Sequence, residues 1–224
     1  PARNEFLSFT DVYIPTPYVI MTRTAETKIR EPQDLVGRRV ALVEGYASAQ
    51  RVLREYPKVD AYWVKTPLDG LRAVATGTAD AYVGVLGINV YLSSKYGISN
   101  LKVAAGYELQ EDGQRFGVRK DWPELAAILD KALVAIPETE KLRILRRWIP
   151  VEVIPTTTQA PVQKLRLTAP ERAWLTQHPQ IRLGLDRAWE PIEFVTAKGE
   201  YQGISSEFMK RLASMLDLDT RYDP

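Results

Sequence analysis

The chain has 224 residues, 45% of them hydrophobic and 26% charged, which suits one large or two modest globular domains and excludes a disordered or fibrous chain. Thirty Lys and Arg offset 28 Asp and Glu to a net charge of +2, with the signs interspersed, so no long-range field points to nucleic acid or an anionic membrane. Cysteine is absent and His178 is the single histidine, which excludes disulfides and thiolate metal sites and leaves no material for a histidine metal cluster or a Ser-His-Asp triad; no metal, cofactor or catalytic residue is expected.

Residues Phe6 to Arg23 alternate aromatic and β-branched positions around Pro15 and Pro17, as extended chain broken by a turn does. Arg39 to Val43 is a short apolar run that fits a parallel strand buried on both faces, and Glu44-Gly45-Tyr46 then turns into a helix. Thr66-Pro67-Leu68-Asp69 predicts a helix start, with a hydroxyl cap, Pro at the first helical position and an acid near the free N–H groups. Gly77 ends that helix and Ala81 to Val85 follows as the next strand, so strand and helix alternate as in an α/β fold.

Gln114 to Arg119 reads as a second extended crossing, and Asp121-Trp122-Pro123-Glu124 repeats the pattern of cap and acid ahead of a helix carrying Leu125, Ile128 and Leu129. A further helix carries Leu142, Leu145 and Trp148; its Arg143, Arg146 and Arg147 complement the helix dipole. Residues 151–167, rich in Pro and Thr, lack periodicity and are expected to form a linker. Beyond them Thr168 to Glu171 starts a short helix, Ile181 to Leu185 makes a strand, and Ile204, Phe208, Leu212 and Leu216 line one face of a longer helix.

No run approaches the roughly 18 apolar residues of a membrane span, and no signal peptide opens the chain. The first residues, Pro1-Ala2-Arg3, and the last, Tyr222-Asp223-Pro224, are those expected of a fragment of a longer protein.

Four segments in order carry a resemblance: Pro1-Ala2-Arg3 with Phe9-Thr10-Asp11, Leu35 to Tyr46, Gly77 to Gly84, and Val118 to Leu125. They resemble the solute-binding proteins of family 3, the periplasmic amino-acid-binding type, in the tandem form found in BvgS- and EvgS-like sensor histidine kinases. The resemblance implies an α/β, two-lobed Venus flytrap of periplasmic binding protein type II. Residues 1–150 match the middle and end of one copy, with one lobe at about 24–113 and the remainder of the other at 1–23 and 114–150. Residues 168–224, with Arg182-Leu183-Gly184-Leu185-Asp186, Trp189-Glu190-Pro191 and Gly199 to Ile204, match the opening of a second copy. Because the first copy lacks its opening strand and helix, residues 181–224 are candidates to dock in their place.

The same resemblance implies a function. The chain is expected to be the periplasmic solute-binding sensor module of a transmembrane receptor, with a carboxylate or amino-acid-like ligand between the lobes. A neighbouring flytrap and a homodimeric parent are its implied partners, and nucleic acid is not. The candidate ligand-binding residues are Arg3, Tyr46, Ala47, Ser48, Val85 and Trp189. Arg3 stands where the family's cleft arginine grips a carboxylate through its planar fork, and Trp189 matches an aromatic platform. Two departures count against an amino acid: Val85 replaces the Asp that meets the ligand ammonium, and Ala47 replaces a carboxylate-binding Thr, with Ser48 beside it. A ligand-free structural transducer is therefore the alternative. A periplasmic dehydratase using Glu44 or Glu5, and a transport-associated binding protein, rank below it.

Overall fold

The computed structural model describes residues 2–108, 113–149 and 164–222, so the expected linker lies outside the described residues except for 164–167. Residues 1–14 and 113–224 make one compact unit and residues 15–112 a second. The chain opens with a 3-10 turn (Ala2–Glu5) and β1 (Leu7–Phe9), and passes along β2 (Ile14–Pro15) into the second unit. There follow β3 (Tyr18–Arg23), a 3-10 turn (Pro32–Leu35), β4 (Arg39–Val43), α1 (Ala47–Glu55), β5 (Asp60–Val64), α2 (Pro67–Thr76), β6 (Ala81–Val85), α3 (Leu86–Lys95) and β7 (Leu101–Glu108). The first unit resumes with β8 (Gly113–Gln114), β9 (Gly117–Arg119), α4 (Pro123–Ala135) and α5 (Glu138–Trp148). It ends with α6 (Ala169–Gln177), β10 (Gln180–Leu183), β11 (Ala188–Trp189), β12 (Glu193–Val195), β13 (Tyr201–Gln202), α7 (Ile204–Leu216) and β14 (Asp219–Tyr222).

The second unit is built on a five-stranded sheet of order β5-β4-β6-β3-β7. Strands β5, β4 and β6 are parallel, and β3 runs antiparallel to both β6 and β7. The continuous apolar runs of β4 and β6 are central and buried, as strands covered on both faces are. Val40, Leu42 and Val83 join Ile20, Leu35 and Val52 in one core, each such side chain contributing roughly 1.5–3 kcal/mol when fully buried. Residues 15–23, expected with the other lobe, belong here, because β3 pairs on both sides within this sheet.

Helix α2 starts as its sequence predicts: the Thr66 hydroxyl oxygen accepts the Asp69 N–H at 3.2 Å, and Gly77 adopts the left-handed conformation (φ 83°) at its end. Arg23 fastens that end by donating from Nη1 to the carbonyls of Val74 and Ala79, both at 2.8 Å.

In the first unit β1 pairs antiparallel with β9, β10 pairs parallel with β14, and β11-β12-β13 form a small meander. Residues 164–222 pack onto the earlier elements of this unit. Lys131 on α4 meets both carboxylate oxygens of Glu171 at 2.6 and 2.9 Å, while Glu207 on α7 accepts from Arg147 and from the Trp148 indole, each at 2.8 Å. Thr168 and Glu171 form a reciprocal capping box at α6. The start of α4 differs from expectation: Asp121 is engaged by Arg119, and the capping position falls to Trp122, which makes no side-chain cap.

Candidate functional site

Strands β4 and β6 are adjacent and parallel, so their carboxyl ends open on one edge of the sheet, where ligands of open α/β sheets bind. Gly45, at φ 77°, turns the chain sharply after β4, and α1 begins at Ala47. Tyr46 occupies the capping position without a side-chain hydrogen bond to the helix, so the first N–H groups of α1, at Ala47 and Ser48, receive no side-chain cap from it. Those groups and the helix dipole favour an anion. By contrast, α2, which follows β5 to the same edge, has its own cap in Thr66.

Tyr46 is 37% exposed, Ala47 is exposed and Ser48 partly so. Val85 ends β6 and caps α3, and it is buried at 7% exposure; the first N–H of α3, at Leu86, is taken by the Pro17 carbonyl at 2.9 Å. The structure thus brings Tyr46, Ala47, Ser48 and Val85 to one edge of one unit. Its chemistry is a short row of N–H donors beside an aromatic ring, with an apolar side chain on the neighbouring strand end. Glu44, at the same turn, and Glu5 are both exposed, and neither is enclosed as a general acid or base requires.

The other two candidates lie in the first unit. Trp189 sits on β11, half-buried, with its indole N–H enclosed and unpartnered. Arg3 falls in the opening 3-10 turn, and its side chain lies outside the described residues.

A feature that sequence reasoning missed is a cavity of about 320 Å³ in the first unit, lined by Tyr13, Phe116, Trp122, Glu193 and Tyr201 among others. Burial raises the Glu193 carboxyl above its ordinary value, against the opposing pull of hydrogen bonds from the Asp186 N–H and the Tyr201 hydroxyl, each 3.1 Å away. Burial likewise raises the phenols of Tyr13 and Tyr201. No local motif announces this cavity, since its walls come from segments that are distant in sequence.

No family model matches the sequence. Virulence sensor protein BvgS of Bordetella bronchiseptica is 26% identical over 188 residues, 84% of this chain and 15% of the relative. Sensor protein EvgS of Escherichia coli K12 is 29% identical over 152 residues, 66% of this chain and 12% of the relative. The chain therefore spans about a seventh of the length of the curated relatives it matches. Among solved structures, the periplasmic VFT2 domain of Bordetella pertussis BvgS is 32% identical over 66% of this chain and 63% of that one, with a TM-score of 0.55. Among the described residues no helix is long and apolar enough to cross a membrane.

Proposed function

We propose that this chain, which has the Venus flytrap fold and is a relative of the BvgS and EvgS sensor proteins, is a periplasmic sensing region that takes a small carboxylate at the start of α1. The observation that carries the reading is the uncapped N-terminus of α1 at the carboxyl end of β4, a place where backbone N–H groups can receive an anion. Val85 narrows the ligand, because a buried valine offers no acceptor to an ammonium group and makes an α-amino acid a poor fit. Arg3 and Trp189 join the proposed ligand contacts through the family resemblance.

In this reading the domain belongs to a membrane-spanning two-component receptor, with a neighbouring flytrap and a second copy of the receptor as its partners. Signal strength is then bounded by the ligand's difference in affinity for the receptor's states. The chain acts by binding, not by catalysis.

Isothermal titration calorimetry with acetate, succinate, benzoate and a panel of α-amino acids tests the proposal. Heat with one or more acids that lack an amino group, and weaker heat with their amino-acid counterparts, is the expected result. A chain that gives no heat with any of them is a ligand-free transducer, the reading that the hydrogen-bond-poor side chains of Val85 and Ala47 favour.

A further inference from the structure

Tyr82 is the aromatic residue of β6 and is 2% exposed. Its ring runs along the strand. A Cβ at Gly70 of α2 would stand 2.6 Å from Cδ2 and 2.8 Å from Cε2 of the ring, whereas one at Gly84 would stand 2.7 Å from both Cζ and Oη. The near part of the ring therefore meets α2, and its hydroxyl end lies over Gly84, two residues closer to the carboxyl end of β6. At a rise of about 3.3 Å per residue, two residues match the reach of a tyrosine side chain, so the hydroxyl stands level with the last residues of the strand.

That end of β6 is the edge at which α1 begins. The phenols that act electrostatically on Tyr82 are those of Tyr46, in the turn before α1, and Tyr18, which faces Val85 across the ladder of β3 and β6. Among the described residues the Tyr82 hydroxyl makes no hydrogen bond. Buried polar groups of folded proteins are hydrogen-bonded as a rule, and a hydroxyl aimed at a binding edge can take its partner from the ligand. Burial raises the phenol above the usual tyrosine value, so at neutral pH it is an uncharged O–H donor.

Resting on the reading of α1 as a carboxylate site, we infer that Tyr82 is a specificity-determining residue of that site, donating its hydroxyl at the carboxyl end of β6 to a second acceptor oxygen of the ligand. The ligand class is then a small carboxylate with a carbonyl oxygen beside the acid, as in a 2-oxo acid.

Three parts of the edge complement such a molecule separately: the N–H groups of α1 its carboxylate, the Tyr82 phenol its carbonyl oxygen, and the Val85 side chain its apolar part. An ammonium in place of the carbonyl brings donors to a donor, and an uncharged phenol cannot balance its charge. A methylene in the same place leaves the buried hydroxyl without a partner, which a site built around a hydrogen bond tolerates poorly.

Calorimetric titration of the whole chain with pyruvate, propionate and alanine tests the inference, because the three are similar in size and differ at the carbon beside the carboxylate. The unaltered chain is expected to bind pyruvate roughly tenfold or more tightly than either of the others. Tyr82→Phe keeps the ring over Gly84 and removes the donor, and is expected to shrink the preference for pyruvate over propionate to about twofold or less. The ranking by the unaltered chain is a test by itself. Equal affinity for pyruvate and propionate, or alanine bound as tightly as pyruvate, overturns the inference and leaves an anion site at α1 standing. A Tyr82→Phe chain that keeps its preference for pyruvate does the same. Absence of heat from the unaltered chain with all three removes the carboxylate site itself, and this inference with it.

Discussion

The hydroxyls of Tyr13 and Ser205 stand 2.8 Å apart, joining residues separated by 192 positions in the sequence. The Tyr13 ring stacks on Phe116 at 4.2 Å and meets Phe208 of α7 edge-on at 5.2 Å, so one side chain ties the opening segment of the chain to α7. Tyr13→Phe keeps the ring and leaves the buried Ser205 hydroxyl unpaired, which is expected to cost ~1–2 kcal/mol. Ser205→Ala is expected to cost a similar amount, and the double variant less than the sum, because both remove the same bond. Urea denaturation of the three variants measures the coupling.

Tyr82 lies between two glycines. A Cβ at Gly70 would stand 2.6 Å from the ring, and one at Gly84 would stand 2.6 Å from its other edge. At Gly70, inside α2, alanine gains ~1 kcal/mol of helix propensity but overpacks a buried aromatic at ~1–3 kcal/mol. Gly70→Ala is therefore expected to destabilise the second unit despite the better helix former, and Gly84→Ala, without that gain, to destabilise it more. Pairing either with Tyr82→Leu should recover part of the loss in thermal melts.

Glu171 is the ionisable group through which acid should loosen the attachment of α6 to α4. Its hydrogen bond from Lys131, then that from the Thr168 N–H, holds its carboxyl below the ordinary glutamate value of 4.5. A depressed folded value means stability that is present above about pH 4.5 and lost as pH falls through the folded value. Glu193, raised by burial, works in the opposite sense and is relieved by acid. Glu171→Gln is expected to lower stability at pH 7 and to flatten its decline between about pH 5 and 3. Urea midpoints across that range check the slope.

Much of the second unit was legible because local signals and packing agree. The run Val40 to Val43 reads as a buried strand, and Thr66, Pro67, Asp69 and Gly77 mark both ends of α2. Helix α3 was not legible, since its apolar residues are spread around the helix and give no face. Asp121 reads as a cap because it is a carboxylate just ahead of Trp122-Pro123-Glu124, while the Arg119 guanidinium two residues earlier competes for it more strongly than backbone N–H groups do. At the candidate site the turn and helix start could be read from Glu44 to Ser48, but the missing cap could not, because Tyr46 has a hydroxyl that lies too far along the ring to serve the helix. The paired strand edges of the first unit depend on which ladders form between distant segments, and no local pattern encodes that.

Ser48→Asp separates binding at α1 from the stability of the fold. An acid in the first turn of an uncapped helix complements the positive end of the dipole, so the variant is expected to be more stable by ~0.3–1 kcal/mol. The same carboxylate competes for the N–H groups offered to a ligand and repels its charge, so affinity for a small carboxylate should fall at least tenfold. Opposite signs for the two effects distinguish a ligand site at this helix start from a merely structural turn. Ser48→Asn, which brings a polar side chain to the first turn without a charge, should leave more of the binding intact. Calorimetry and thermal melts on the same preparations give both quantities, and a Ser48→Asp chain that binds its acid undiminished would place the ligand elsewhere.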